Sequence, residues 1–424
     1  MSRNRRARLL PEQRQGACRK EGQAIRNDET GGVKTDPSVV PPDHNRTKQT
    51  EGKSRLMQAR LQARADQRIG HKQPEISVII PTYNRRATLA SCLAALDAQS
   101  LSKDLYEVIV IDDGSTDGTQ ELCQGLSLPF PFIYLRQNNA GAGAARRLGT
   151  EAAHGTYLLL FNDDTIAARG LLAEHRRAQH ECAPEKCAVL GDFRYFREAL
   201  KRALTSFLAT RPFLFPQVSL KPGLYRQSSY FIASNLSLRR DAVLKAGSFD
   251  PQFRVAEDTE LGVRLEQRGY RVLYHPQALA WHDHLLFTTA NLIDRARRYA
   301  LPDLLLFNKH PGLLGAGTGP FGRLDDNWAA RTRDSLDRSR PQVAELTKAI
   351  AQFDAIDFAP LRSIGKGREV VAEMVMKTFE QIVPKVHWFH LFDEFLRRYN
   401  VERDLRGNAL PTASQAKTEA LCFR

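Results

Sequence analysis

The sequence predicts an α/β fold with a mostly parallel central sheet flanked by helices. Between residues 75 and 161, short β-branched segments alternate with amphipathic helices at least three times, and several of these strands end in polar or acidic residues. Such alternation is typical of parallel strands joined by right-handed crossovers. Ligands in these sheets bind at the carboxyl ends of the strands. The residues that follow the strands are therefore the candidates for chemistry.

The first half of the chain supplies these elements in order. A buried strand is predicted over residues 75–80, closed by Pro81, and a helix follows it. The apolar residues of that helix share one face: Leu89, Cys92, Leu93 and Leu96. Further strands are predicted over residues 107–111, 132–135 and 157–161, and a glycine- and alanine-rich helix over residues 141–153.

The second half of the sequence is less regular. It predicts strands over residues 230–238, 271–274 and 278–281, a helix starting near Asp258, and mostly helices after residue 287, including 292–306 and 370–382. The glycine-rich segment 312–322 is typical of a linker or a mobile loop. We expect three regions: a basic, disordered tail (1–72), an α/β domain (73–290) and a mainly helical C-terminal region (291–424).

The chain carries a net charge of +14, but the excess is concentrated near one end. Residues 1–70 hold 16 Lys+Arg against 8 Asp+Glu, a net charge of +8. The tail lacks the interleaved aromatic residues that stack on nucleic-acid bases, so we expect no nucleic-acid partner. A solvated tail and an electrostatic anchor to anionic lipid or polymer both remain open.

The sequence contains no apolar run near the roughly 20 residues that a membrane span requires, and no apolar stretch follows its basic start. We therefore expect a cytoplasmic protein, with the inner face of the membrane as an alternative. The six cysteines are expected to be reduced thiols. The aromatic segment 387–395 predicts a helix that either packs on the catalytic domain or lies on a membrane surface.

Two acidic clusters directly follow predicted strands. One contains Asp112 and Asp113, and the other is Asn162-Asp163-Asp164. Adjacent carboxylates repel each other unless a cation or hydrogen-bond donors compensate. A hard divalent cation prefers such oxygen ligands and commonly bridges to substrate phosphates. The alternative is that these residues form Asx turns and helix caps.

Three other features are candidates for chemistry. Glu257 and Asp258 either cap a helix or supply a general base. His282 and His284, which alternate after a strand, are candidate metal ligands. Segment 138–143 resembles a phosphate-cradling loop, with Arg146 or Arg147 as a diphosphate contact. A zinc site at His175, His180, Cys182 and Cys187 is disfavoured, because the spacing matches no known finger pattern.

The order of four segments closely resembles the family 2 glycosyltransferases, which have the GT-A fold. The segments are Ser-Val-Ile-Ile-Pro-Thr-Tyr-Asn (77–84), Val-Ile-Val-Ile-Asp-Asp-Gly-Ser (108–115), Phe-Asn-Asp-Asp-Thr (161–165) and Glu-Asp-Thr-Glu-Leu-Gly-Val-Arg-Leu (257–265). The resemblance covers residues 75–284, about half of the chain. It implies an inverting transferase that moves a sugar from a nucleotide-diphosphate-sugar donor to the hydroxyl of a saccharide or lipid-linked acceptor, with Mn²⁺ or Mg²⁺ as cofactor.

The resemblance also assigns roles to residues. Pro81, Tyr83 and Asp113 match positions around the nucleotide base, and Asp163 matches a position near the donor ribose. Asp164 matches the metal ligand of an Asp-x-Asp motif whose first position here is Asn162.

Three further positions carry implied roles. Asp258 matches the catalytic base, and Glu257 precedes it in the same motif. His282 matches a histidine that often completes the metal site. Asn235 falls on a segment that lines the acceptor side. Two other functions remain open: that of a relative that binds nucleotide-sugars without catalysis, and that of a nucleotidyltransferase. The latter typically has a glycine-rich loop after its first strand, which this sequence lacks.

Overall fold

The computed structural model describes residues 73–182, 186–196, 199–214, 216–282, 288–310, 328–355 and 366–406. The predicted tail, the glycine-rich segment 312–322 and His284 lie outside these residues.

Strands and helices alternate through the first half, as predicted. The strands are β1 (Ile76–Thr82), β2 (Tyr106–Asp112), β3 (Phe132–Arg136), β4 (Tyr157–Phe161), β5 (Thr165–Ala167), β6 (Cys187–Tyr195), β7 (Gly223–Tyr225), β8 (Asn235–Arg239) and β9 (Arg271–His282). The helices are α1 (Arg86–Asp97), α2 (Thr119–Gly125), α3 (Ala142–Ala152), α4 (Leu171–Cys182), α5 (Ala203–Thr210), α6 (Arg240–Lys245), α7 (Glu257–Gln267), α8 (Thr289–Lys309), α9 (Trp328–Asp354) and α10 (Lys366–Arg406).

The described strands form one sheet in the order β3-β2-β1-β4-β8-β6-β9-β5, with β7 paired to β9. The four strands β1 to β4 pair in parallel, which confirms the α/β prediction. Their register aligns Thr82 with Asp112, so the residues that follow β1, β2 and β4 meet at one edge. The other half of the sheet is mixed: β8 runs antiparallel to both β4 and β6, and β6 is parallel to β9.

Two predicted strand boundaries were wrong. Segments 271–274 and 278–281 belong to one strand, β9, whose pairing with β6 shifts register after His275. Pro276, which lacks a backbone N–H, lies at this irregularity. Strand β8 begins at Asn235 rather than near residue 230, because residues 228–230 form a short 3-10 helix.

The described residues contain two large hydrophobic cores. One packs α1, α4 and neighbouring loops against the sheet. The other joins α5, α8, α9 and α10 and includes Phe207, Ile350 and Phe379.

None of residues 387–395 is exposed, and Phe389 and Phe395 lie in this helical core. The aromatic segment therefore packs within the protein, as one of its two alternatives predicted. Of the described helices, none is both long and apolar enough to span a membrane.

The expectation of reduced thiols was wrong for one pair of cysteines. Cys182 ends α4, Cys187 begins β6, and the two form a disulfide across a short connection with a Cα–Cα distance of 6.2 Å. Cys92 and Cys123 are buried free thiols, in agreement with the prediction.

Candidate functional site

The carboxylates of Asp163 and Asp164 follow β4 and lie at the shared strand edge. Their side chains are 8% and 4% exposed. The Thr82 hydroxyl, at the end of β1, donates to Asp163 Oδ2 at 2.8 Å. Arg85 Nη1 donates to Asp163 Oδ1 at 3.3 Å and forms an ion pair with Asp164 Oδ2. One guanidinium nitrogen therefore bridges the two carboxylates and offsets their repulsion.

His282 reaches the same cluster from the end of β9. Strand β5 pairs with β9 so that Thr165 lies opposite His282, which brings the imidazole beside the preceding Asp164. His282 Nδ1 is 3.7 Å from Asp164 Oδ1. The ring of Tyr195 stacks on the imidazole, with 5.8 Å between the two ring centroids, and this contact orients the His282 side chain. The predicted pairing of a carboxylate with this histidine is thus present in the geometry.

These two side chains fit a metal that is shared with a substrate. A carboxylate oxygen and an imidazole nitrogen suit Mn²⁺, and diphosphate oxygens and water commonly complete such sites. Among the described residues, no cluster of three or more His, Cys, Asp or Glu could hold a metal alone. Asp164 and His282 therefore offer one oxygen and one nitrogen ligand at the strand edge.

Asp258 lies in the first turn of α7 and is half-buried. Its Oδ2 accepts from the Ala233 backbone N–H and its Oδ1 from that of Thr259, both at 2.8 Å. These two amides orient the carboxylate. Asp258 is thus a fixed carboxylate with partial access to solvent, as a general base requires.

Arg146 joins the two halves of the site. This buried side chain, on α3, forms an ion pair with Glu257, and its Nη2 donates to Asn162 Oδ1 at 2.8 Å. Asn162 immediately precedes the aspartate pair, and Glu257 immediately precedes Asp258. The guanidinium therefore fixes the end of β4 relative to the start of α7.

Two predicted roles are corrected by this contact. Arg146 has a side chain only 6% exposed and committed to Glu257, so it is not placed to bind a diphosphate. Glu257 is equally buried, so it is not placed to meet a substrate. The pKa of Glu257 is raised to about 7, mainly by burial and also by the neighbouring Asp258, against the opposing effect of Arg146.

The loop before α3 is not a phosphate cradle. The backbone amides of Ala140 and Gly141 both donate to Asp113 at 2.8 Å, and that of Ala142 donates to the Arg254 carbonyl. A Cβ at Gly143 would lie 2.4 Å from the Phe253 carbonyl oxygen. The amides are therefore occupied, and the glycines serve close packing against the segment that leads into α7.

Asp112 and Asp113 stabilise loops at the strand edge, which agrees with the Asx-turn alternative. Asp113 also accepts from the Gln137 side chain at 2.7 Å and is 6% exposed. Asp112 is fully buried and accepts from Tyr134, Arg136 and the Ser115 amide. Burial raises the pKa of Asp112, but the hydrogen bonds outweigh that effect and lower it. Asp113 thus anchors residues 137–141.

A pocket of about 690 Å³ opens beside the aspartate pair. It is lined by Asn84, Arg85, Arg86, Ala87, Thr88, Ala90, Asp117, Leu122 and Asp164. Tyr83, predicted to lie near the base, is 48% exposed, whereas Pro81 is partly buried within β1.

Asn235 is not placed to contact an acceptor, which corrects the predicted role. It is fully buried in β8, and its amide contacts His175 at 2.8 Å and the carbonyls of Asp192 and Ala278. Burial lowers the pKa of His175 to about 4. With Cys182 and Cys187 joined in a disulfide, the four residues of the disfavoured zinc alternative form no cluster.

Sequence reasoning missed two residues of this site. Thr82 is the last residue of β1 and Arg85 directly follows the quoted segment 77–84, but neither was singled out. Their signal was available, because both lie at the carboxyl end of a strand that pairs in parallel with β4. The bridging role of Arg146 had no comparable signal.

The sequence of the chain is similar to those of known glycosyltransferases. Residues 77–245 match the model of glycosyl transferase family 2, and residues 197–318 match that of glycosyl transferase family group 2. A probable glycosyltransferase, YdaM of Bacillus subtilis, is 29% identical over 216 residues, covering 49% of this chain and 50% of that protein. The chondroitin synthase of Escherichia coli is 27% identical over 239 residues, covering 49% and 34%. The chain thus spans about half the length of the first of these relatives.

Solved structures with a similar course of the chain include the S. aureus protein TarS (residues 1–349) in complex with UDP. It has a TM-score of 0.44 and 15% identity, covering 79% of this chain and 92% of that one. The mannosyltransferase PcManGT from Pyrobaculum calidifontis, in complex with GDP-Man and Mn²⁺, has a TM-score of 0.45 and 16% identity, covering 80% and 88%.

The match to the family model contains β1, both acidic clusters and the bridging Arg146, and it ends within the second half of the sheet. The curated relatives extend the similarity over about half of the chain. Residues 77–245 of the chain therefore resemble the glycosyltransferases of family 2.

Proposed function

We propose that this protein is a metal-dependent, inverting glycosyltransferase. It transfers a sugar from a nucleotide-diphosphate-sugar to the hydroxyl of a saccharide or lipid-linked acceptor, in the synthesis of a cell-surface polysaccharide or glycoconjugate. The observation that carries this proposal is the Arg146 bridge, because it ties the aspartate pair to the segment of Asp258. This bridge supports the proposal that Asp164 and Asp258, 94 positions apart, act at one site.

The donor side consists of Asp163, Asp164 and His282 beside the pocket. Asp164 and His282 would hold Mn²⁺ or Mg²⁺, which neutralises charge on the departing diphosphate. Asp163, held by Thr82, stands next to them and faces the donor ribose in this proposal. The exposed Tyr83 ring offers a surface on which the nucleotide base stacks.

The acceptor side is carried by Asp258. Its carboxylate takes the proton of the acceptor hydroxyl as that oxygen forms a bond to the anomeric carbon. The bond from this carbon to the diphosphate oxygen breaks, and its electron pair leaves with the nucleoside diphosphate. A single displacement inverts the anomeric carbon, so the chain needs one base and no covalent nucleophile.

We also propose a cytoplasmic location, with a lipid-linked acceptor met at the inner face of the membrane. The surplus of basic residues in segment 1–70 supports attraction to an anionic surface.

The test is release of nucleoside diphosphate from a panel of sugar nucleotides with Mn²⁺ or Mg²⁺, for the wild type, Asp164→Ala and Asp258→Asn. The proposal predicts release from one donor that is lost with a chelator and in both variants. Binding of a sugar nucleotide without turnover across donors and acceptors would instead favour a non-catalytic relative. Turnover that persists with the chelator would contradict the metal-dependent mechanism.

A further inference from the structure

The aspartate pair has a cationic partner within the chain, and its position bears on metal binding. Arg85 Nη1 contacts one oxygen of Asp163 and one of Asp164. Asp164 is the carboxylate proposed above as a metal ligand. A guanidinium nitrogen and a divalent cation compete for the same carboxylate oxygens, because each needs its own close contact with them.

Arg85 is far more accessible than the two carboxylates that it contacts. It precedes α1 and its side chain is 42% exposed, whereas both carboxylates are nearly buried. Arg85 also lines the pocket beside Asp164, together with Arg86. A guanidinium displaced from the carboxylates thus remains beside the proposed diphosphate, where an anion would stabilise it.

We propose that Arg85 is a positioning residue that competes with the divalent cation for the aspartate pair, and thereby couples metal binding to nucleotide binding. The inference rests on the proposed function. The ion pair of Arg85 lowers the affinity for metal alone. A nucleoside diphosphate restores it, because the diphosphate gives the displaced guanidinium a new partner.

The coupling has a quantitative consequence. If the ion-paired conformer holds roughly nine in ten molecules, it weakens the apparent affinity for metal about tenfold. Removing the guanidinium removes this loss. With nucleotide bound the guanidinium has already left the carboxylates, so its removal changes the affinity for metal little in that state. The enhancement of metal affinity by nucleotide should therefore shrink by a similar factor, and the enhancement of nucleotide affinity by metal should shrink equally because coupling is reciprocal.

The experiment is titration of Mn²⁺, followed by the electron paramagnetic resonance signal of the free ion, with and without UDP or GDP. The proteins are the full-chain wild type, Arg85→Gln and Arg86→Gln. Arg86 is the control because it lines the same pocket, while its guanidinium lies beside Gly118. It reports the general effect of removing one positive charge.

We expect Arg85→Gln to bind Mn²⁺ alone about tenfold more tightly than the wild type and to lose most of the enhancement by nucleotide. Arg86→Gln should shift the affinity for Mn²⁺ much less. The inference would be overturned if Arg85→Gln bound Mn²⁺ alone no more tightly than the wild type. It would also be overturned if the affinity for Mn²⁺ rose equally in both variants. The titration without nucleotide requires no transfer activity, so its result is separate from failure of the proposed function.

Discussion

Two arginines meet carboxylates in this site, and their surroundings differ sharply. Arg85 bridges Asp163 and Asp164 with a side chain that is 42% exposed at the rim of a pocket. Arg146 pairs with Glu257 where both side chains are about 5% exposed. The same two groups, a guanidinium and a carboxylate, thus form one ion pair that is open to the pocket and one that is buried in the protein. Exposure, rather than residue type, distinguishes the ligand-facing pair from the structural pair.

The adjacent acids at the start of α7 show the same contrast. Glu257 is 4% exposed and faces Arg146, whereas Asp258 is half-buried and oriented by two backbone amides. Consecutive residues of a helix point in directions about 100° apart, so one faces the interior and the other the site. Of the two, only Asp258 has the access that proton transfer from an acceptor needs.

The largest effect on stability is expected for Arg146→Met. Above pH 7, where Glu257 is mostly ionised, this change leaves a buried carboxylate without its cation, which typically costs about 3–5 kcal/mol. The control is Arg147→Met, whose exposed ion pair with Glu151 is worth about 0.5 kcal/mol. Urea unfolding of both variants measures the difference. Equal free energies of unfolding for the two variants would show that the buried pair is not a structural link.

A somewhat smaller effect is expected from pH through Glu257. Its pKa rises from 4.5 to about 7 on folding, mainly because of burial. The folded protein therefore binds this proton more tightly than the unfolded chain does. The associated stability is complete below about pH 4.5 and is lost as pH rises through 7, by up to about 3 kcal/mol.

Glu257→Gln cannot ionise and should lack this loss. The free energy of unfolding of the wild type, measured relative to the variant, should fall between pH 4.5 and 7. A difference that stays constant over this range would contradict the raised pKa.

The smallest effect is expected for Gly143→Ala. The new methyl group would lie 2.4 Å from the Phe253 carbonyl oxygen and 3.2 Å from Glu257 Cβ, so the segment leading to α7 must move. Overpacking of this kind typically costs about 1–3 kcal/mol. Gly125→Ala, where nothing lies within 4 Å, is the matched control and should be neutral. Thermal unfolding compares the two, and an equally neutral Gly143→Ala would show that this loop tolerates displacement.

Much of the fold was predictable because its signals are local. The β-branched runs that became β1, β2 and β4 are short and buried, and polar or acidic residues follow their carboxyl ends. The acids at 163 and 164 could be found from this pattern, whereas Asp258 was found from the start of a predicted helix and from the family resemblance. The later strands were harder to place, since the pairing shift in β9 depends on its neighbour β6.

The functions predicted for Arg146, Asn235 and the glycine loop failed for a different reason. Each residue type suits a ligand, but each is satisfied by a partner distant in sequence: Arg146 by Glu257, Asn235 by His175, and Ala140 by Asp113. Sequence patterns give the residues that could bind a ligand. Which of them remain available to one is decided by tertiary packing.

The measurement that tests the central claim most directly is donor affinity and transfer rate for Asp164→Asn and Asp258→Asn, in the presence of Mn²⁺. Glu266→Gln, near the other end of α7, is the control. Asp258→Asn should retain donor affinity and lose transfer by about 10²–10⁴-fold, because only the base is removed. Asp164→Asn should lose the metal-dependent part of donor affinity itself. Transfer by Asp258→Asn at a rate close to that of the control would contradict the division of the site into a metal side and a base side.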